Sequence, residues 1–110
     1  MKSREDPLGS LEHVVLLAVM RLGPEAYGMT VRREIDTATG RDLSIGAVYA
    51  TLTRLETKGL LSSLEGEPTA ERGGRAKRYF RLTAKGKSAL RMTREMLQKM
   101  SAGLEGLEVS

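Results

Sequence analysis

Between residues 72 and 87 the chain carries seven bases and no acid: Arg72, Arg75, Lys77, Arg78, Arg81, Lys85 and Lys87. Fixed cations at this density neutralise phosphates and release their counterions, so the chemistry on offer is capture of a polyanion. The surplus is local. Of 18 Lys and Arg in the 110 residues, eleven lie outside this segment against 14 Asp and Glu, so the net charge of +4 comes from this one stretch. A second stretch, residues 44–59 (SIGAVYATLTRLETKG), offers a different chemistry. Ile45, Val48, Leu52 and Leu55 recur at helical spacing and make one apolar stripe. The opposite face carries Gly46, Ala47, Ala50, Arg54 and Thr57, flanked by Tyr49 and Thr51. A helix face that is small, and uncharged over its first two turns, can approach another surface closely. With Arg54 and Tyr49 as hydrogen-bonding groups, it suits the edges of bases in a DNA major groove. The same pattern also fits an ordinary surface helix, and the segments beyond Gly59 decide between the two.

Other chemistries lack their residues. There is no cysteine, which excludes disulfides, thiolate metal sites and a cysteine nucleophile. The single histidine, His13, has no second His or acidic cluster near it and is read as a surface residue. No paired carboxylates, nucleophile–base pair or metal constellation appears, so catalytic residues, metal ligands and cofactors are all expected to be none. Gly73, Gly74 and Arg75 lie between strands rather than before a helix, so they are not a nucleotide-binding turn. No stretch approaches the roughly 20 apolar residues of a membrane span. The N-terminus MKSREDPLGS lacks the apolar run of a secretory signal. The expectation is a cytoplasmic protein.

A succession of short elements positions these residues. Residues 1–8 are polar and read as a flexible lead. Ser10 caps a helix over 11–22 that is apolar nearly all round and must be covered on several sides. Gly23-Pro24 ends it. Tyr27-Gly28 opens a second helix to about Thr39, stopped by Gly40, with Met29, Val31 and Ile35 inward and Arg32, Arg33, Glu34 and Asp36 in water. A short connector leads to the helix capped by Ser44 and stopped by Gly59, a helix-turn-helix arrangement. Residues 60–65 and 77–82 read as strands. The segment between them, GEPTAERGGRA, is too long for a tight turn, so the pair is a wing with a basic tip. Arg72, Arg75 and Lys77 would reach phosphates or the minor groove.

Thr83 caps a last helix from Ala84 to about Ala102. Its stripe of Ala89, Met92 or Thr93, Met96, Met100 and Leu104 is narrow, a seam for another helix rather than a wide core face. The partner is either the same helix of a second copy, since closed two-fold dimers are the commonest oligomers, or the first helix of the same chain. Leu11, Val15, Ala89, Met92, Met96, Met100 and Leu104 are the residues expected in a dimer contact. The domain plan is a lead at 1–8, a winged helix-turn-helix at 9–83, a dimerisation helix at 84–104 and a loose tail at 105–110. The fold class is mainly α with a small two-stranded β-wing.

Three phrases, LLAVMRLGPEAYGMTVRREI (16–35), LSIGAVYATLTRLETKGLL (43–61) and ERGGRAKRYFRLTAKGKSAL (71–90), resemble the PadR family of winged-helix transcriptional regulators in order and spacing. The resemblance implies a homodimeric repressor that binds a palindromic operator, with the last helix supplying the dimer contact. In many relatives a small-molecule effector releases the DNA. It places Tyr27 near the DNA backbone, Ser44, Gly46, Ala47, Tyr49 and Arg54 on the groove side, and Arg75 and Lys77 in the wing. It also implies a short form without the larger C-terminal helical domain of many relatives. The chain departs from many of them at Ile45 and Ala50, where they carry proline. It has no Trp and one Phe with which to stack an effector.

The expected partners are therefore double-stranded DNA and a second copy of the chain, with an effector left open and no membrane. Thr51 joins Tyr49 and Arg54 as a candidate contact on the reading helix. The alternative is a winged-helix module that binds the acidic surface of another protein, with Tyr49 as anchor.

Overall fold

The computed structural model describes residues 8–68, 76–104 and 106. Four helices, α1 (Ser10–Leu22), α2 (Gly28–Thr39), α3 (Ile45–Thr57) and α4 (Ala84–Ser101), surround one core, and an antiparallel pair, β1 (Leu61–Pro68) and β2 (Ala76–Leu82), stands beside α3. A single 3-10 turn, Gly23–Glu25, links α1 to α2. This is a winged helix, mainly α.

The apolar character of α1 is explained by its place. It touches α2, α3, α4 and β2. Val15, Leu16 and Val19 are each no more than 1% exposed and pack with Val31 and Ile35 of α2, Val48, Leu52 and Leu55 of α3, Phe80 of the wing and Leu90 of α4. Each fully buried side chain of this size contributes about 1.5–3 kcal/mol of transfer free energy relative to exposure. Val15 therefore has no surface left to offer a second chain, which removes it from the expected dimer contact.

Local chemistry sets the ends of the helices. α1 starts one residue earlier than expected. Gly9, not Ser10, is its cap, because the Glu12 carboxylate reaches back to accept the Gly9 N–H at 3.3 Å. Ser44 caps α3 by accepting the Ala47 N–H at 3.0 Å. At the other end Gly59 adopts φ +80°. Its N–H bonds the Glu56 carbonyl (2.9 Å) and the Leu60 N–H bonds that of Leu55 (2.9 Å), the paired closure that satisfies a helix C-terminus. Arg32, expected in water, is half-buried and pins the connector before α3. Its Nε donates to the Leu43 carbonyl at 2.6 Å and a terminal nitrogen to Asp42 at 2.9 Å.

The hairpin is longer than its sequence suggests. Leu61 pairs with Leu82, Ser63 with Phe80 and Leu64 with Tyr79, and after an irregularity past Glu65 the pairing resumes at Pro68 and Ala76. The Phe80 N–H donates to the Ala26 carbonyl at 2.9 Å and Tyr27 bridges to Tyr79, so the chain before α2 lies along β2 as a short third partner. Residues 69–75, which include Arg72 and Arg75, fall outside the described residues, as do 1–7 and most of the expected tail. Leu8, assigned to the flexible lead, is tied down: its N–H donates to the Thr93 hydroxyl of α4 at 3.2 Å, and its side chain packs on the core.

His13 is not a surface residue. It is half-buried, and its Nε2 has no hydrogen-bond partner among the described residues. Burial, with the nearby positive charge of Arg94, holds its pKa below the usual value of 6.5. A base whose folded pKa is depressed contributes stability above its unfolded pKa, and that contribution is lost as pH falls through the lowered value. Thermal melts between pH 7.5 and pH 5 should therefore show a falling melting temperature, and His13→Gln should flatten the step. An unchanged profile in that variant would refute the assignment.

Candidate nucleic-acid interface

Gly46, Ala50, Thr53 and Thr57 are all exposed and line up along the outer face of α3. The four positions fall within about 60° of one another at 100° per residue. Sequence reasoning misses Thr53, although it sits seven residues, two helical turns, beyond Gly46. Gly46 has open space where a Cβ would stand, so nothing within this chain requires a glycine there. A helical glycine costs up to about 1 kcal/mol relative to alanine. What it provides is the absence of a side chain on an outward face.

Two polar residues flank this face. On one side Tyr49, 42% exposed, lays its ring over Gly28, where a built Cβ would stand 2.4 Å from the ring carbon Cζ. The absent side chain at Gly28 lets α3 rest against the first turn of α2. On the other side Arg54 donates through Nε to Glu12 of α1 at 3.3 Å, and Lys58 donates to the same carboxylate oxygen at 2.8 Å. Burial raises the pKa of Glu12. The donors Lys58, Gly9 and Arg54 more than offset it and hold the carboxyl below its ordinary value. Thr51, expected to face DNA, is only 1% exposed. Its hydroxyl donates to the Ala47 carbonyl at 2.9 Å and accepts from Arg54 at 3.4 Å, so it acts inside the fold and not on its surface. Ala47 is half-buried and Ser44 exposed.

The contacts run on from α3 to the wing. Tyr49 meets Gly28, and the neighbouring Tyr27 packs edge-on against Tyr79 with ring centroids 5.3 Å apart. The Lys77 ammonium stands 4.6 Å from the Tyr27 ring centre and makes a long hydrogen bond, 3.5 Å, to its hydroxyl. Tyr27, Tyr49 and Lys77 thus join α3 to the wing strand in one surface. Lys77, Tyr79 and Arg81 share one face of β2, and Arg78 takes the other. There Arg78 pairs with Glu56 of α3 and donates to Ser63 at 3.1 Å. Lys85 donates to the Lys58 carbonyl at the end of α3, 3.1 Å away. The basic run is therefore not one patch: among its described members Arg78 and Lys85 secure the wing and α4 to α3.

At the far end of the chain, Met96 (38% exposed), Leu97 (48%), Met100 (74%) and Leu104 (56%) leave an apolar stripe uncovered along the outer half of α4. The inner half of the same helix is covered within the chain, with Leu90 and Thr93 buried and Ala89 and Met92 half-buried. Of the two expected fates of this seam, packing on the first helix of the same chain holds for the inner half, while the outer half stays uncovered. Leu97 was not among the expected contact residues. No described helix is long and apolar enough to cross a membrane, and no group of three or more His, Cys, Asp or Glu among the described residues could hold a metal ion.

With this geometry in place, comparison with known proteins gives a consistent result. A family model described as "Transcriptional regulator PadR-like family" matches residues 16–92. A PadR-like transcription factor from Bacteroides fragilis superposes with a TM-score of 0.74 at 27% identity, over 88% of each chain. A PadR family transcriptional regulator from Eggerthella lenta gives 0.67 at 26% identity, covering 91% of this chain and 88% of its own. A winged-helix DNA-binding protein from STIV, 20% identical with a TM-score of 0.69, shares the fold over 89% of this chain and 98% of its own. No curated protein matches.

Proposed function

Because the chain belongs to the PadR-like family of transcriptional regulators, we propose that it is a homodimeric repressor that reads a palindromic DNA operator. The observation that carries this reading is the outer face of α3, where Gly46, Ala50, Thr53 and Thr57 present nothing large or charged. Such a face can sink into a major groove until Tyr49 and Arg54 on its flanks reach base edges. Tyr27 and Lys77 then meet the phosphate backbone beside it, with Arg72 and Arg75 of the wing tip as further cations. Ser44 and Ala47 lie at the entry of the helix into the groove. Contacts to bases set the sequence, and contacts to phosphates set the register and most of the affinity.

The second copy docks on the bare stripe of α4. Met96, Leu97, Met100 and Leu104 of one chain cover those of the other, with Leu11, Ala89 and Met92 at the margin. Two reading helices related by a two-fold axis require half-sites about one helical turn apart, or a multiple of it.

Selection of bound duplexes from a random pool tests the whole reading. It should return inverted half-sites at that spacing, and sedimentation should show two protein chains per duplex. If each chain neutralises three to four phosphates, the log–log salt slope for the dimer should be about −5 to −7. Lys77→Ala should weaken binding to operator and random duplexes alike and reduce the slope by about 1 per chain. Negligible duplex affinity even at low salt would leave the protein-binding module as the function of this surface.

A further inference from the structure

Arg54 is the one long cation within α3 itself, and α1 holds it. Its Nε donates to the Glu12 carboxylate at 3.3 Å and one terminal nitrogen to Thr51 Oγ1 at 3.4 Å. Glu12 is itself fixed, since it accepts the Gly9 N–H and the Lys58 ammonium, and its side chain is only 12% exposed. The Arg54 side chain is 50% exposed. A guanidinium has five N–H donors in a rigid plane. Two are engaged among the described residues, and the edge between its two terminal nitrogens presents a parallel pair of N–H groups to an external acceptor. A planar pair of parallel donors matches the O6 and N7 acceptors of guanine in the major groove.

On these contacts, and resting on the DNA-reading function above, we propose that Glu12 and Thr51 are positioning residues that brace Arg54 to read a guanine. The brace acts in two ways. It orders a long side chain before binding, which lowers the entropy cost of forming two directional hydrogen bonds. It also sets one buried negative charge against Arg54 and Lys58, so these two bases contribute less to indiscriminate attraction of phosphates. Released from Glu12, both can turn to the nearest phosphate of any sequence. Thr51 thus takes part in recognition, as its sequence position suggested, but through Arg54 and without touching the duplex.

Glu12→Gln tests this cleanly. Glutamine can still accept the Gly9 N–H, as in an ordinary capping box, so α1 keeps its start. The duplexes to use are the tightest one recovered by selection, the same duplex with each G·C pair of the half-site changed in turn, and a random one. Glu34→Gln serves as the control, because it removes the same charge and frees Arg21 of α1, whose described hydrogen bond is to Glu34 of α2 and not to α3. Glu12→Gln should lower the selectivity for one G·C pair about tenfold while raising affinity for the random duplex. It should also steepen the salt slope on that duplex by about 1–2 per chain, as two bases reach phosphates. Glu34→Gln should leave the selectivity at that pair unchanged. Thr51→Val, which keeps the shape and removes the hydroxyl, should move selectivity at the same base pair in the same direction by a smaller factor. If both Glu12→Gln and Thr51→Val keep selectivity at every position within twofold of the starting protein, the brace is refuted while the DNA-reading function stands. A starting protein that binds no duplex would overturn both.

Discussion

Replacing Gly46 with glutamate should raise the melting temperature of this protein and at the same time abolish most of its affinity for duplex DNA. The two effects have separate causes. Gly46 is the second residue of α3, exposed, with open space where a side chain would stand. A glycine within a helix costs up to about 1 kcal/mol relative to a good helix former. A carboxylate in the first turn adds about 0.3–1 kcal/mol through the helix dipole. For a domain of this size each kcal/mol is worth about 4–8 °C, so a rise of several degrees is expected. On DNA the same carboxylate would stand where α3 enters the groove, between two rows of phosphates and against base edges. A hundredfold loss, about 2.7 kcal/mol, is a lower estimate for that combination of charge repulsion and lost approach. Calorimetry and a gel shift on one preparation check both halves. A more stable variant that still binds the operator normally would show that this face of α3 does not meet DNA.

The largest expected loss of stability lies at the other end of the wing. Gly86, in the first turn of α4, sits so close to Leu60 that a built Cβ would be 2.1 Å from the Leu60 carbonyl oxygen and 3.1 Å from Leu82 Cδ2. The obstacle is backbone, and it is already committed. The Leu60 carbonyl accepts the Thr83 N–H at 3.1 Å, and the Thr83 hydroxyl both donates to the Gly59 carbonyl (2.6 Å) and accepts the Gly86 N–H (3.0 Å). Gly86→Ala must push α4 off the end of α3 and break part of that junction. Overpacking of this kind costs about 1–3 kcal/mol and occasionally more, and a rigid neighbour puts it at the upper end. The melting temperature should fall by roughly 10–20 °C. Gly66→Ala makes the comparison. Its Cβ would meet the edge of the Tyr79 ring at 2.5 Å, but a side chain can tilt where a backbone carbonyl cannot. It should therefore cost clearly less. Equal losses in the two variants would mean that the close approach at Gly86 is not what holds α4 in place.

The sequence alone contained the architecture, because that information is local. Ser44 and Gly59 mark the ends of α3, and Ile45, Val48, Leu52 and Leu55 mark its inner face. These assignments rest on cap chemistry and a 3.6-residue period, which depend only on near neighbours in the chain. The small outer face and the apolar seam of α4 were legible for the same reason, as was the likeness of three phrases to one family. Tertiary structure decided what each polar side chain has opposite it. Glu12 meets Arg54 across 42 residues and Lys58 across 46, and Arg78 meets Glu56 across 22. No spacing rule encodes such pairings. They gave the described members of the basic run separate duties, while helix packing placed Thr51 and Val15 in the interior and left His13 half-buried. Local periodicity says which way a side chain points from its own helix. Only the packing of one helix on another says whether water, a carboxylate or a neighbouring ring is waiting there.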